Sequence, residues 1–327
     1  MDGMPARRAV GIDAIRVMGI VAVIFGHTFT GPLTHEFIYA WHVPVFFFLT
    51  GYLWTRGRPL RTEFVKRGRT LVVPYIGWFI VISVLLPVDM ARTGTVSFAV
   101  FARPALGGSQ PSGVYGTFWF VSTLFFAAIL YRVLDRLPRP AVWAIAVLGL
   151  IAGYALGGQL AATPLAIGSA FPCLIFLVAG STARDLERYI HRPIVVGAAL
   201  VVVPLVTIGI VRPDPIDIKQ GLYGSPVLGV VLASMISFGL VLVAKSIPFP
   251  RVLGLVITEF ALVGIAVVLF HPFVLNYSRA YGAPAAGIFV LAVVIPWAVA
   301  LLIRRTPLSS FLIGARRSSR SKAHVTA

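Results

Sequence analysis

The 327-residue chain is 58% hydrophobic and only 12% charged, with a mean hydropathy of +0.91 and a net charge of +17. Soluble globular domains carry roughly 25% charged residues, so this composition excludes one and indicates a polytopic membrane protein. A single cysteine, Cys173, excludes an intrachain disulfide and any multi-cysteine metal site, and inside an apolar run it reads as a packing residue.

Apolar runs of about 17–22 residues recur along the chain, each about long enough to cross the ~30 Å hydrocarbon layer, and in lipid such spans must be helices. The pattern predicts an all-α bundle of ten spans, at about 10–30, 39–55, 70–88, 115–134, 141–157, 164–182, 194–211, 226–244, 253–274 and 284–303. An even count puts both termini on one side. With loops assigned alternately, only Arg92, Arg103, Arg212, Lys219 and Arg279 fall on the opposite side, and Arg16 lies within the first span. That bias predicts a multi-pass inner or plasma membrane protein with cytoplasmic termini.

The positive charge is therefore mainly a topology signal. Its spread over short loops, without a binding motif, argues against a nucleic-acid partner and leaves attraction to anionic membrane lipids as a secondary role. Arg7 and Arg8 before an apolar run imitate a signal peptide, but the run is long, carries polar groups and lacks a small-x-small cleavage site, so it is expected to remain as the first span.

Two groups in that span, GIDAIRVMGIVAVIFGHTF, do not belong in hydrocarbon. Arg16 and His27 are 11 residues apart, about 20° from three full turns, so they share one helix face and lie ~16 Å apart along it. A buried charge of this kind must face protein or water, which predicts an internal cavity on that side. Asp13, one turn before Arg16, can orient it. The plain alternative has Arg16 snorkelling to the cytoplasmic interface and His27 ending the helix near the outer one.

The second span, AWHVPVFFFLTGYLW, follows a short outer connector, which predicts His42 at nearly the depth of His27. Thr50 and Gly51 are small enough to admit a close helix contact. The segment TRGRPLRTEFVKRGRTLVVPY reads as a basic cytoplasmic loop, from which Arg67 and Arg69 can grip phosphates at a cavity mouth. The outer loop at about 89–114 is rich in turn formers towards its end and can cover a pocket from outside. In the fourth span Trp119 lies near the outer surface, an interfacial-belt position by default.

The ninth span, ITEFALVGIAVVLFHPF, carries Glu259 near its inner end and His271 near its outer end. By depth, Glu259 matches Arg16 and His271 matches the other two histidines, so an Arg16–Glu259 ion pair is expected. Structural pairing explains Glu259 as well as catalysis does, and His271 before Pro272 can equally be an interfacial cap. The chain reads as a single transmembrane unit over residues 1–315, with a basic, Ser-rich, disordered tail over 316–327.

Taken in order, Arg16 and His27, HVPVFFFLTGYL, the basic KRGRTLVVPY stretch, FWFVSTLF and VVLFHPFVL resemble the acyltransferase 3 family of integral-membrane O-acyltransferases, in its short form without an extra extracytoplasmic domain. Thr50-Gly51 stands where that family usually has Ser-Gly, and Arg67 and Arg69 stand where an Arg-x-x-Arg pattern is usual.

The resemblance implies transfer of an acyl group, acetyl by default, from cytoplasmic acyl-CoA to a hydroxyl of an envelope glycan, a glycolipid or another carbohydrate or lipid-linked acceptor, or a secreted small molecule. It implies His27 and Arg16 as catalytic residues. Arg16, Arg67 and Arg69 would contact the CoA donor, and His42, Trp119, His271 and Glu259 would line the acceptor side. A neutral imidazole can take the proton of an attacking hydroxyl, worth roughly 10²–10⁴ in rate, and His27 as a transient acyl carrier is the chemical alternative. No nucleophilic serine motif, metal-ligand cluster or Gly-rich phosphate loop is present, so neither a metal nor nucleotide hydrolysis is expected. The rival class is a proton- or anion-coupled secondary transporter, which uses the same intramembrane Arg, His and Glu, with a non-catalytic sensor as a third.

Overall fold

A computed structural model describes residues 7–93, 113–315 and 317, with the side chains of 7–9 and 87–93 excepted. The outer loop expected at 89–114 and the tail over 316–327 fall largely outside the described residues. The rest is a helical bundle whose apolar cores merge around its central helices.

Eight apolar helical segments are long enough to cross a membrane, and a bent pair makes a ninth. Helix α1 (Arg7–Thr28) is one uninterrupted helix. The region read as the second span is not a full crossing helix. A wide π turn over Thr34–Ile38 precedes it, hydrogen-bonded turns follow over residues 39–43, and the chain becomes regular only in α2 (Pro44–Tyr52), nine residues long. Pro44 sits in the first turn of α2, where its missing N–H costs nothing, and every residue of α2 except Phe46 is buried. A helix apolar on all sides is one enclosed by protein.

The basic loop of the sequence reading is also helical in part. Helix α3 (Leu60–Arg67) continues through a π turn at Gly68–Val72 into α4 (Val73–Thr93), so the third span begins about ten residues earlier than hydropathy suggests. Then follow α5 (Phe118–Leu134), α6 (Arg139–Ala161), α7 (Ala170–Leu186) and α8 (Pro193–Val211). A small antiparallel hairpin, β1 (Ile216–Asp217) with β2 (Leu222–Tyr223), precedes α9 (Leu228–Ser246).

The ninth predicted span is broken. Helix α10 (Arg251–Leu262) meets α11 (Gly264–Ala280) at an angle of 65°, and Val263 between them has left helical geometry. Helix α12 (Ala285–Ile303) packs on α11, and a last turn, α13 (Ser309–Leu312), tucks against α4, where Trp78 Nε1 donates to the Leu312 carbonyl at 2.8 Å.

Helix α2 is clamped against α7, and small residues let the backbones meet. A methyl group at Gly51 would lie 1.8 Å from the Leu177 carbonyl oxygen, and one at Gly180 would lie 2.0 Å from that of Phe48. Contact this close supplies the dispersion energy that holds membrane helices together where no hydrophobic effect drives them. At Gly158 of α6, by contrast, an added methyl meets nothing within 4 Å. Gly51→Ala therefore lowers the melting temperature and folded yield of the detergent-extracted protein sharply, by about 3 kcal/mol or more, while Gly158→Ala is neutral or mildly stabilising. Equal melting of the two variants would contradict this packing.

Candidate active site

His27 closes α1, one residue from its end, and Arg279 of α11 holds that end by donating to the His27 carbonyl at 2.6 Å. The imidazole points into the bundle, towards α11. Its Nδ1 lies 3.1 Å from Nε2 of His271, the two rings nearly parallel with centroids 5.3 Å apart. His271 is fully buried, and its Nδ1 donates to the Val267 carbonyl one turn back at 3.1 Å. His42 is also buried and donates through Nδ1 to the Ile38 carbonyl at 2.8 Å. Each ring is thus held by the helix it stands on or by the next ring.

His27 and His42 line one small cavity of about 30 Å³, walled by Trp119, Thr117, Phe46, Phe120 and Val268 among others. Trp119 is buried in that wall at 7% exposure, not set in an interfacial belt. Thr117, which the sequence reading did not single out, donates its hydroxyl to the Val268 carbonyl at 2.7 Å. The reason is Pro272, which lacks the N–H that would otherwise take the carbonyl four residues earlier in α11.

Beside this cavity lies a much larger one, about 490 Å³, lined from Arg16 of α1 to residues 313–315. The two cavities have Phe46, Phe120 and Val268 in common as walls. Phe46 and Phe120 meet edge to face at 5.4 Å, so their rings close the partition between the two. The large chamber is cationic, bordered by Arg16, Arg58, Lys66 and Arg67 with Glu63 as its acid. Arg16 is half-exposed, pairs with Asp13 at 2.9 Å, and also borders a further cavity of about 400 Å³ that reaches Arg184 and Lys245.

Sequence position alone misled in two places. Glu259 pairs with Arg304 of α12 at 2.7 Å, not with Arg16, because the break at Val263 carries α10 out of line with α11 and the depth argument assumed a straight helix. Arg69 is exposed and, like Glu259, borders neither cavity, whereas Arg67 does.

Glu63 was hidden among basic neighbours in the sequence, yet it organises the chamber wall. Fully buried, it accepts from Arg58 and Arg67 at 2.8 Å each and from Arg132 of α5 at 3.3 Å. Arg132, itself buried, also donates to Asp135 and to the Thr55 carbonyl, and its guanidinium lies 4.0 Å over the Trp54 ring. This lattice fixes two of the cations that face the chamber. The segment between β1 and β2 brings Lys219 close to Gly116, next to Thr117, and burial pushes the Lys219 ammonium below its ordinary range.

The acyltransferase 3 family, described as an acyltransferase domain, matches residues 10–305. The chain belongs to this family. It is a multi-pass membrane protein, and the matched acyltransferase domain includes His27, His42, His271 and the cationic chamber. Nodulation protein NolL of Mesorhizobium japonicum is 31% identical over 151 residues, covering 43% of this chain and 37% of that protein. The chain thus aligns with little more than a third of that relative's length. No solved structure matches the chain. Among the described residues no group of three or more His, Cys, Asp or Glu is arranged to hold a metal ion.

Glu63→Gln removes the charge on which three guanidinium groups converge and leaves Arg132 buried with half its compensation. The expected loss is about 3–5 kcal/mol of stability, read as a lower melting temperature in detergent, whereas Arg58→Gln, which removes one half-exposed partner, is far milder. Equal melting of both variants would show that Glu63 does not hold the wall.

Proposed function

We propose that this acyltransferase moves an acyl group, acetyl by default, from acyl-CoA on the cytoplasmic side to a hydroxyl of an envelope glycan, glycolipid or secreted small molecule, with His27 as general base. One observation carries the reading: a cationic chamber shares a wall of Phe46, Phe120 and Val268 with a small cavity lined by His27. CoA has phosphates at one end and a thioester at the tip of a long flexible arm. Guanidinium groups at Arg16, Arg58 and Arg67 suit the phosphates, and the arm would reach the small cavity by parting the Phe46 and Phe120 rings.

In the small cavity beside His27 an alcohol hydroxyl meets the thioester carbonyl. The hydroxyl proton passes to His27, the oxygen attacks the carbonyl carbon, and the carbon–sulfur bond breaks as the thiolate takes the proton back. Each turnover forms one ester and one free thiol. His42 and Trp119, on the same cavity wall, would orient the acceptor. The cluster of Arg58, Lys66 and Arg67 at its rim favours the cytoplasmic face for the chamber, by the tendency of basic residues to stay inside.

The test uses purified protein in nanodiscs, radiolabelled acetyl-CoA, and envelope membranes from cells lacking the gene as acceptor. Wild type transfers label to the envelope fraction and His27→Ala does not. Arg67→Ala raises KM for acetyl-CoA about tenfold or more, and Arg69→Ala leaves it within about twofold. A carrier would behave otherwise: solute counterflow without CoA, and no label transferred by the wild type, would replace this proposal with the transporter reading.

A further inference from the structure

Hydrogen-bond logic in the histidine pair goes one step beyond the choice of base, and the inference rests on the acyl-transfer reading. A carbonyl oxygen can only accept, so the His271 Nδ1 that lies 3.1 Å from the Val267 carbonyl carries a proton. Fully buried, and partnered by His27 and by the backbone of its own helix at Val267 and Val268 with no carboxylate among these partners, the ring is neutral imidazole. Its Nε2 is then a bare lone pair. That lone pair faces His27 Nδ1 at 3.1 Å, where a second lone pair would repel it, so His27 Nδ1 must carry the proton. The one remaining lone pair of His27 is on Nε2.

We propose that His271 is a positioning residue: anchored by the Val267 carbonyl, it accepts the Nδ1 proton of His27, fixes that ring's tautomer and holds the basic Nε2 free for the cavity. An aqueous imidazole favours the opposite tautomer, with the proton on Nε2, which would leave a donor where a base is needed. The His271 ring takes the part that a buried carboxylate plays behind the histidine of a serine hydrolase, without placing a second charge in the membrane. When the hydroxyl proton reaches His27 Nε2, the new positive charge is shared through the Nδ1–H···Nε2 bond. When the thiolate removes that proton, the original tautomer returns.

The anchor is itself secured. Pro272 leaves the Val268 carbonyl without its helical N–H, and Thr117 supplies the missing donor at 2.7 Å, so the turn of α11 that presents Val267 and His271 keeps its shape beside a proline. A His-Pro pair in mid-helix therefore serves to hold a ring, not to end a span.

Two variants and one spectrum test the proposal. In ¹⁵N-histidine-labelled wild-type protein in nanodiscs, the signals lost in His27→Ala are expected to show a protonated Nδ1 and an unprotonated Nε2. In H271F, which fills the space without an acceptor, the His27 signals move towards the Nε2–H form and kcat falls about 10²–10⁴-fold, with KM for acetyl-CoA within about threefold of wild type. H271Q, whose side-chain oxygen still accepts, keeps the Nδ1–H signal and regains part of kcat. A wild-type His27 protonated on Nε2, or equal losses of kcat in H271F and H271Q with the tautomer unmoved, would overturn the proposal. If wild type transfers nothing from acetyl-CoA, the acyl-transfer reading fails, and the spectrum alone then decides the relay: Nδ1–H upholds it and Nε2–H rejects it.

Discussion

Hydrocarbon offers no partner to an imidazole or a guanidinium, and each unsatisfied polar group there costs several kcal/mol. Arg16 and His27 stand on one face of the same helix, so that face cannot meet lipid without a large penalty. The bundle answers by setting α2, α5 and α11 around the helix and leaving a hollow between them. Arg16 borders the larger of its two adjacent cavities and His27 the smaller. Enclosure of α2, the burial of Trp119 and the position of His271 all follow from closing that hollow.

Irregular backbone does the fine placement. The π turn and the hydrogen-bonded turns before Pro44 let His42 reach the cavity from a segment too short to cross the membrane by itself. A π turn at Gly68–Val72 joins the cationic helix α3 to the spanning helix α4. Pro272 sits next to His271, and a threonine from another helix repairs the bond it removes. Departures of this kind in membrane helices are tolerated where protein or water can satisfy the freed groups, and such places are commonly functional.

The sequence shows some of this and hides the rest, for physical reasons. The shared face of Arg16 and His27 is legible because α1 is unbroken over that stretch, so counting residues measures angle and depth. His42 beside His27 is legible because a short connector permits only an antiparallel return. Glu259 is misread because hydropathy averages over the break at Val263, which turns one apparent span into two helices at 65°. Glu63 is invisible because one acid among many cations looks like a solvated surface until α5 brings Arg132 against it. Thr117 gains its role only from a proline more than a hundred residues away, and no local pattern links the two.

The central claim is a single path from the basic face to His27, and a structure of the protein with a non-transferable acyl-CoA thioether shows it most directly. Density is expected to run from the phosphates beside Arg16 and Arg67, past a Phe46–Phe120 pair whose rings have parted, to a sulfur within about one hydrogen-bond length plus a bond of His27 Nε2. An analogue bound with its sulfur on the chamber side of that pair, or a chamber left empty while the analogue binds elsewhere, would contradict the account.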